Sequence, residues 1–289
     1  MRHLNVEFTP LVRTISAEQI ILNLPGCDVN FTKSFPRIID AQLGPNCTAV
    51  GFSMDDGVPI RFNGVERDQS VVVIGRSGAI YSAVEAVPRW YASIVFKPEV
   101  EDRDWPPSGA SFSMYETSPS AYRALRRLVL QILAAASELA EDVEAGGISA
   151  AMRESLFAAV DMAFADVVTA RWASHANFSR KFKIFRDVEM ATAGHYESAI
   201  YSRELARQVG VSVRTMHDAV RQYRGMSLHR YLRLRRLWLV RRRLLAGTHS
   251  VKASALAFGF WHLSDFSHNY RLQFGETPSA TLARSRWTG

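Results

Sequence analysis

The sequence predicts an α+β protein with a β-rich amino-terminal domain, a helical hairpin, and an all-α carboxy-terminal domain holding two helix-turn-helix units. Three observations carry this reading. Short apolar stretches recur roughly every ten residues through about the first 110, broken by Gly, Pro, Asp and Asn. Two stretches of helical apolar period follow. The last hundred or so residues then use one pattern twice, short helix, glycine turn, second helix, at a spacing of about fifty residues.

In the first part, NCTAVGFSM, VPIRFNG, SVVVIG, AIYSAVE and YASIVFKPE read as strands, and their spacing suggests a sandwich or jelly roll. Alternation along strands sends Phe52, Phe62, Tyr81, Trp90, Tyr91 and Phe96 to a core rather than to a ligand. Arg61, Arg76 and Glu85 read as exposed strand charges rather than ligand anchors. Two cysteines, Cys27 and Cys47, are too few for a disulfide scaffold and read as buried small hydrophobes.

Pro107, Pro119 and the PPSGAS run mark an irregular stretch before two helices. The first is expected from about Ser120 to Ala145, with Tyr122, Leu125, Leu128, Val129, Ile132 and Leu133 on one side and Gly146 and Gly147 ending it. The second starts near Ser149 and carries Met152, Leu156, Val160, Ala163, Val167 and Val168. Two such helices in tandem make an antiparallel hairpin that covers the β domain. Residues 173–181, ASHANFSRK, read as a linker, after which Phe182, Phe185 and Val188 open the first helix of the last domain. The expected boundaries are 1–112, 113–175 and 176–289.

The first helix-turn-helix unit spans Ser202 to Tyr223. Leu205, Ala206 and Val209 make one apolar face, Gly210 permits the turn, and Ser212 caps a second helix. Val213, Met216 and Val220 point inward there, leaving Arg214, Thr215, His217, Asp218 and Arg221 outward. The second unit spans Val251 to Phe274, with Gly259 at the turn and Phe266 and Tyr270 inward; His262, Leu263, Ser264, Ser267, His268 and Arg271 face out. A short helix with a polar face fits the major groove of double-stranded DNA. The connecting helix, Leu228 to Ala246, is about 28 Å long at 1.5 Å per residue, and adjacent groove openings lie about 34 Å apart.

Charge is confined in the same way. Residues 195–289 hold 16 Lys and Arg against 5 Asp and Glu, so the remainder holds 19 against 23 of the chain's totals of 35 and 28. Arg233, Arg235, Arg236, Arg241, Arg242 and Arg243 crowd the connecting helix, too many for one face. Those that reach phosphate would make binding fall with salt. In this surface Arg214 suits bidentate contact with guanine, Thr215 and Arg221 suit phosphate, and Leu263 suits a thymine methyl.

Other function classes are excluded by what the chain lacks. No run of about eighteen apolar residues appears and the start has no signal-peptide core, so no membrane partner and a cytoplasmic location are expected. Only His3 and His175 precede the last domain, which rules out a three-histidine site there, and GxSxG, HExxH, P-loop and CxxC patterns are absent. The expectation is a non-enzyme with no metal and no cofactor. From a different class, the alternative is a non-catalytic protein-interaction module that a basic domain anchors to nucleic acid.

The runs GVSVRTMHDAVRQYRGMSLHRYLRLRRL, RRRLL and GFWHLSDFSHNYRLQFGETPSA, in this order, resemble the DNA-binding domain of AraC/XylS-type bacterial transcription regulators over residues 182–284. Three positions depart from that pattern: Ser254 stands where a buried Ile or Val is typical, Val220 where Phe is common, and Asp218 at a position often held by Arg. An acidic Asp218 can accept from cytosine N4 but repels phosphate. The resemblance implies a cupin-like jelly roll in the amino-terminal domain that binds a small-molecule effector, with which DQSVVVIG and the following Pro-Arg-Trp-Tyr strand are compatible. It further implies transcription activation, RNA polymerase as a partner, and a homodimer seam on the helical hairpin, beside that hairpin's covering role.

Overall fold

The computed structural model describes residues 4–67, 70–97, 100, 103, 105–106, 111–138, 145–169, 175–193 and 202–285. They divide into two compact units: Met1–Phe8, Ser16–Phe62 and Glu66–Ala173 in the first, and Thr9–Ile15, Asn63–Val65 and Ser174–Gly289 in the second.

Along the chain the strands are β1 (Leu4–Pro10), β2 (Glu18–Leu24), β3 (Cys27–Lys33), β4 (Arg37–Leu43), β5 (Thr48–Ser53), β6 (Ile60–Phe62), β7 (Val65–Arg67), β8 (Val71–Gly75), β9 (Ile80–Glu85), β10 (Trp90–Phe96), β11 (Phe112–Thr117) and β12 (Val167–Thr169). They form a five-stranded sheet in the order β1-β4-β9-β6-β7 and a seven-stranded sheet in the order β12-β11-β8-β5-β10-β3-β2. Neither sheet closes or curls onto itself. The expected jelly-roll, cupin-like barrel is therefore not formed; the β domain is two open sheets. A barrel requires the end strands to find partners, whereas among the described residues β1 and β7 end one sheet and β12 and β2 the other. Turn spacing in the sequence sets strand length and says nothing of which strand meets which.

Period-two alternation decides what each strand faces. On β10, Ala92, Ile94 and Phe96 join the core shared with the helices, while Tyr91, Ser93 and Val95 look toward the other sheet. Ile39, Ala41, Ile60, Phe62 and Ala83 of the five-stranded sheet pack there with Val73 of the seven-stranded one. Helices α1 (Pro119–Glu138) and α2 (Ala145–Ala165) cover the opposite face of the larger sheet, through Tyr122, Leu125, Val129 and Ile132 and through Leu156, Phe157, Val160 and Ala163. Cys27 and Cys47 are buried and unbridged, and burial pushes the Cys27 thiol up to about 11, which keeps it protonated at neutral pH.

Several boundaries differ from expectation. Gly146 and Gly147 lie inside α2 rather than ending α1, because the apolar face of α2 outweighs the poor helix propensity of glycine. Ala145, the expected end of the first helix, is instead the first residue of α2; residues 139–144 of that expected helix and residues 107–110 of the PPSGAS run lie outside the described residues. Within 173–181, residues from His175 onward are helical rather than a linker: α3 (His175–Thr192) runs through them, held by buried Ile184, Phe185 and Val188. Glu85, expected exposed, is 1% exposed, since Arg37 Nε donates to its carboxylate at 2.8 Å.

The second unit continues with α4 (Ser202–Val209), α5 (Val213–Arg224), α6 (Leu228–Leu245), α7 (Val251–Ala257), α8 (Leu263–Phe274) and α9 (Pro278–Ser285). Its core includes two small clusters among the described residues. One holds Ile184, Phe185, Ala219 and Tyr223; the other holds Leu237, Val240, Leu244, Ala255, Phe266, Tyr270 and Phe274. Helix α6 serves both ends, its Tyr231 hydroxyl reaching Glu189 on α3 and its last turns filling the second core.

Candidate nucleic-acid interface

The two helix-turn-helix units share backbone geometry at their glycines. Gly210 and Gly259 each turn at φ 73°, and Gly225 and Gly275 end α5 and α8 at φ 69° and 74°. A left-handed residue at the α4/α5 and α7/α8 turns costs a side chain that glycine lacks. The starts of α5 and α8 differ. Ser212 Oγ accepts from the Thr215 amide at 3.1 Å, whereas His262 precedes α8 without a side-chain cap. Ser227 and Ser250, which the sequence reading did not single out, cap α6 and α7 in the same way as Ser212.

On α5, Met216, Ala219, Val220 and Tyr223 are buried, and Val213 is exposed rather than inward because it lies in the first turn. The outward residues are not equivalent. Arg214 and Asp218 have side chains 93% and 63% exposed and face each other one turn apart, Nε to Oδ2 3.9 Å. Arg221 is exposed. Thr215 and His217 are half-buried: Thr215 Oγ1 lies 2.8 Å from Ser212 Oγ, and His217 Nε2 lies 3.3 Å from Ser202 Oγ, with its ring 5.6 Å from that of His229.

On α8 and the residue before it, His262, Ser264, Ser267, His268 and Arg271 are exposed, and Phe266 and Tyr270 are buried as expected. Leu263 is half-buried and packs on the second core, so its methyls are only partly available. Ser254 on α7 is fully buried and its Oγ has no hydrogen-bond partner among the described residues. Trp261, which was not among the expected site residues, is 65% exposed two residues before α8. Its signal was a large aromatic at the turn of a helix-turn-helix unit, one residue beyond the apolar Phe260.

The basic helix sorts its arginines by neighbour. Arg233 and Arg242 are exposed, and Arg235, Arg236, Arg241 and Arg243 are half-buried. Arg241 Nη1 pairs with Glu276 at 2.7 Å and its guanidinium lies 4.5 Å from the Phe274 ring centre. Within the same unit, Arg235 Nη1 donates to Thr9 Oγ1 and Trp238 Nε1 donates to the Pro10 carbonyl, both at 3.0 Å. Glu276 also accepts from Thr281 and Arg284. Burial raises its proton affinity, but these hydrogen bonds and the Arg241 charge outweigh it and hold the carboxyl below the usual carboxylate value.

Among the described residues, no group of three or more His, Cys, Asp or Glu could hold a metal ion, and no helix is long and apolar enough to cross a membrane. Two tandem helix-turn-helix units on one basic helix define a protein of the helix-turn-helix class. A family profile described as a helix-turn-helix domain matches residues 205–284. XylDLEGF operon transcriptional activator 2 of Pseudomonas putida is 31% identical over 116 residues, 37% of this chain and 74% of that protein. XylDLEGF operon transcriptional activator 3 of the same organism is 33% identical over 116 residues, 39% of this chain and 35% of that protein. A crystal structure of a probable AraC family transcriptional regulator from Rhodopseudomonas palustris CGA009 is 33% identical and covers 35% of this chain and 96% of that one, with a TM-score of 0.33. The chain belongs to the AraC/XylS family of helix-turn-helix transcription regulators. It spans about a third of the length of the first relatives it matches, 35% and 34%.

Proposed function

We propose that this chain is a sequence-specific DNA-binding regulator of transcription that acts as an activator. The observation that carries this is the presentation of α5 and α8 at the two ends of α6, whose 18 residues span about 27 Å. Such a strut suits two recognition helices in neighbouring turns of the major groove. Arg214, Asp218, Arg221, His262, Ser264, Ser267, His268 and Arg271 form the exposed reading surface. Thr215, His217 and Leu263 contribute through their accessible edges, and Arg233 and Arg242 meet phosphate.

In this reading residues 1–112 sense an effector, 113–175 form a hairpin that covers the larger sheet and contributes a homodimer seam, and 176–289 bind DNA. The exposed Leu130, Ile148 and Met162 on α1 and α2 support the seam. RNA polymerase is the partner of the activator, and the protein works in the cytoplasm. Binding-site selection with the full chain, followed by footprinting on the selected sites, tests the reading. A bipartite motif with one part per helical turn is expected. Salt-sensitive binding without sequence preference would instead favour a protein-interaction module anchored to nucleic acid.

A further inference from the structure

The first unit contains a cavity of about 420 Å³ between its two sheets. Its walls are largely apolar and aromatic. Tyr81 stacks on Phe112 at 5.0 Å between ring centres, and Phe62 lies 6.1 Å from Tyr81, 6.2 Å from Tyr91 and 5.8 Å from Phe112. On β5, Gly51 lies under the Tyr91 hydroxyl, and a Cβ at that position would collide with it. The glycine therefore lets this phenol take its place in the cavity wall.

Two features of the polar lining decide the chemistry. First, neither the Tyr81 nor the Tyr91 hydroxyl has a hydrogen-bond partner among the described residues, although both line the cavity. Both residues are half-buried and line the cavity, so an acceptor placed there can take up donors that no protein group among the described residues uses. Burial pushes the Tyr81 hydroxyl up to about 12, and that of Tyr91 upward as well, so both remain neutral donors. Second, the charged residues of the lining are Arg37 and Glu85, and they cancel: Arg37 Nε donates to Glu85 Oε2 at 2.8 Å, with side chains 10% and 2% exposed. Arg89 sits behind Glu85, Nε to Oε1 3.9 Å, while its other nitrogens donate to the Val58 and Pro59 carbonyls. An anion entering this space sheds its water beside a buried carboxylate, and a cation does so beside a buried guanidinium.

We propose that this cavity binds a small, uncharged, ring-containing molecule whose carbonyl or ether oxygen accepts from the Tyr81 and Tyr91 hydroxyls. This deepens the effector-controlled reading above and rests on it for its regulatory meaning. The aromatic walls favour a flat, mainly apolar body, and the two phenols orient its polar edge.

Calorimetric titration of the full chain with 1-tetralone, tetralin and tetralin-1-carboxylate tests the proposal. The three probes share a bicyclic body and differ in a neutral acceptor, no acceptor and an anion. Tetralone is expected to bind about fivefold or more tighter than tetralin, with the carboxylate weakest. Tyr81→Phe with Tyr91→Phe keeps both rings and is expected to bring tetralone down to the level of tetralin, while tetralin binds as before and the melting temperature holds. A carboxylate that binds as well as the ketone overturns the proposal, as does tetralone binding that the double variant leaves unchanged. Failure of all three probes at millimolar concentration overturns it too. DNA binding measured on the same samples separates the two readings. Ligand failure with intact sequence-specific binding removes only the cavity inference, and loss of sequence preference removes the regulator reading.

Discussion

Arg224 Nη2 donates to Glu189 Oε2 at 2.9 Å, tying α5 to α3 through a guanidinium with no solvent exposure. The same oxygen accepts from the Tyr231 hydroxyl at 2.9 Å, and the guanidinium lies over the Phe185 and Tyr231 rings, 4.6 and 4.8 Å from their centres. Three helices thus meet on one carboxylate. Glu189→Ala leaves a buried cation without its carboxylate and is expected to cost the second unit about 3 to 5 kcal/mol. Chemical denaturation of the variant checks this; a loss below about 1 kcal/mol would show that the pair is dispensable.

Arg214 and Asp218 share an exposed turn of α5, and at 3.9 Å in water their attraction is weak. Arg214→Ala should relax preference at one base position at a cost of about 1 to 3 kcal/mol. Asp218→Asn removes a charge that repels phosphate, so affinity should rise on selected and unrelated DNA alike. Competition binding at two salt concentrations reads both effects. An unchanged motif for the alanine variant removes Arg214 from the base readers.

Ser254 is buried in α7 with an orphaned hydroxyl. Ser254→Ala deletes that polar atom with little loss of volume and should stabilise the second unit by about 1 kcal/mol. Thermal melting provides the check, and a lower melting temperature would mean that the hydroxyl is satisfied in solution.

Glu276 carries a pH signature. Its carboxyl is held below the usual value of 4.5 in the folded chain by hydrogen bonds from Thr281, Arg284 and Arg241 that outweigh its burial. The unfolded chain therefore takes up this proton at higher pH than the folded one. The stabilisation is complete above the unfolded value and is lost as pH falls through the folded value. Melting temperatures followed from pH 7 to pH 3 should fall less steeply for Glu276→Gln than for the parent chain; parallel curves would rule out Glu276 as the source.

Trp238 meets Phe274 edge-on at 4.8 Å and donates to the Pro10 carbonyl. Trp238→Ala should cost about 3 kcal/mol of stability while leaving base preference alone. Site selection at low temperature, paired with melting, tests this. A changed motif with unchanged melting contradicts it.

Local chemistry was legible from residues alone. Gly210 and Gly259 announced their turns, Ser212 its cap, and the three- and four-residue spacing of Met216, Val220, Phe266 and Tyr270 the buried faces, because each depends on neighbours close in sequence. The family was legible for the same reason, since its motifs are local patterns in a set order. What depends on distant partners was not. Whether the sheets close is decided at β1, β7, β12 and β2 by pairing between segments far apart, so turn spacing pointed to a jelly roll where two open sheets form. Glu85 is buried because Arg37, 48 residues away, meets it. His217 and Leu263 turn toward Ser202 and the second core because those neighbours lie beside them in space. Short-range backbone preference and periodicity wrote the helix-turn-helix units into the sequence. Long-range packing, which no window of residues contains, decided the open sheets, the cavity between them and the inequality of the two helix-turn-helix surfaces.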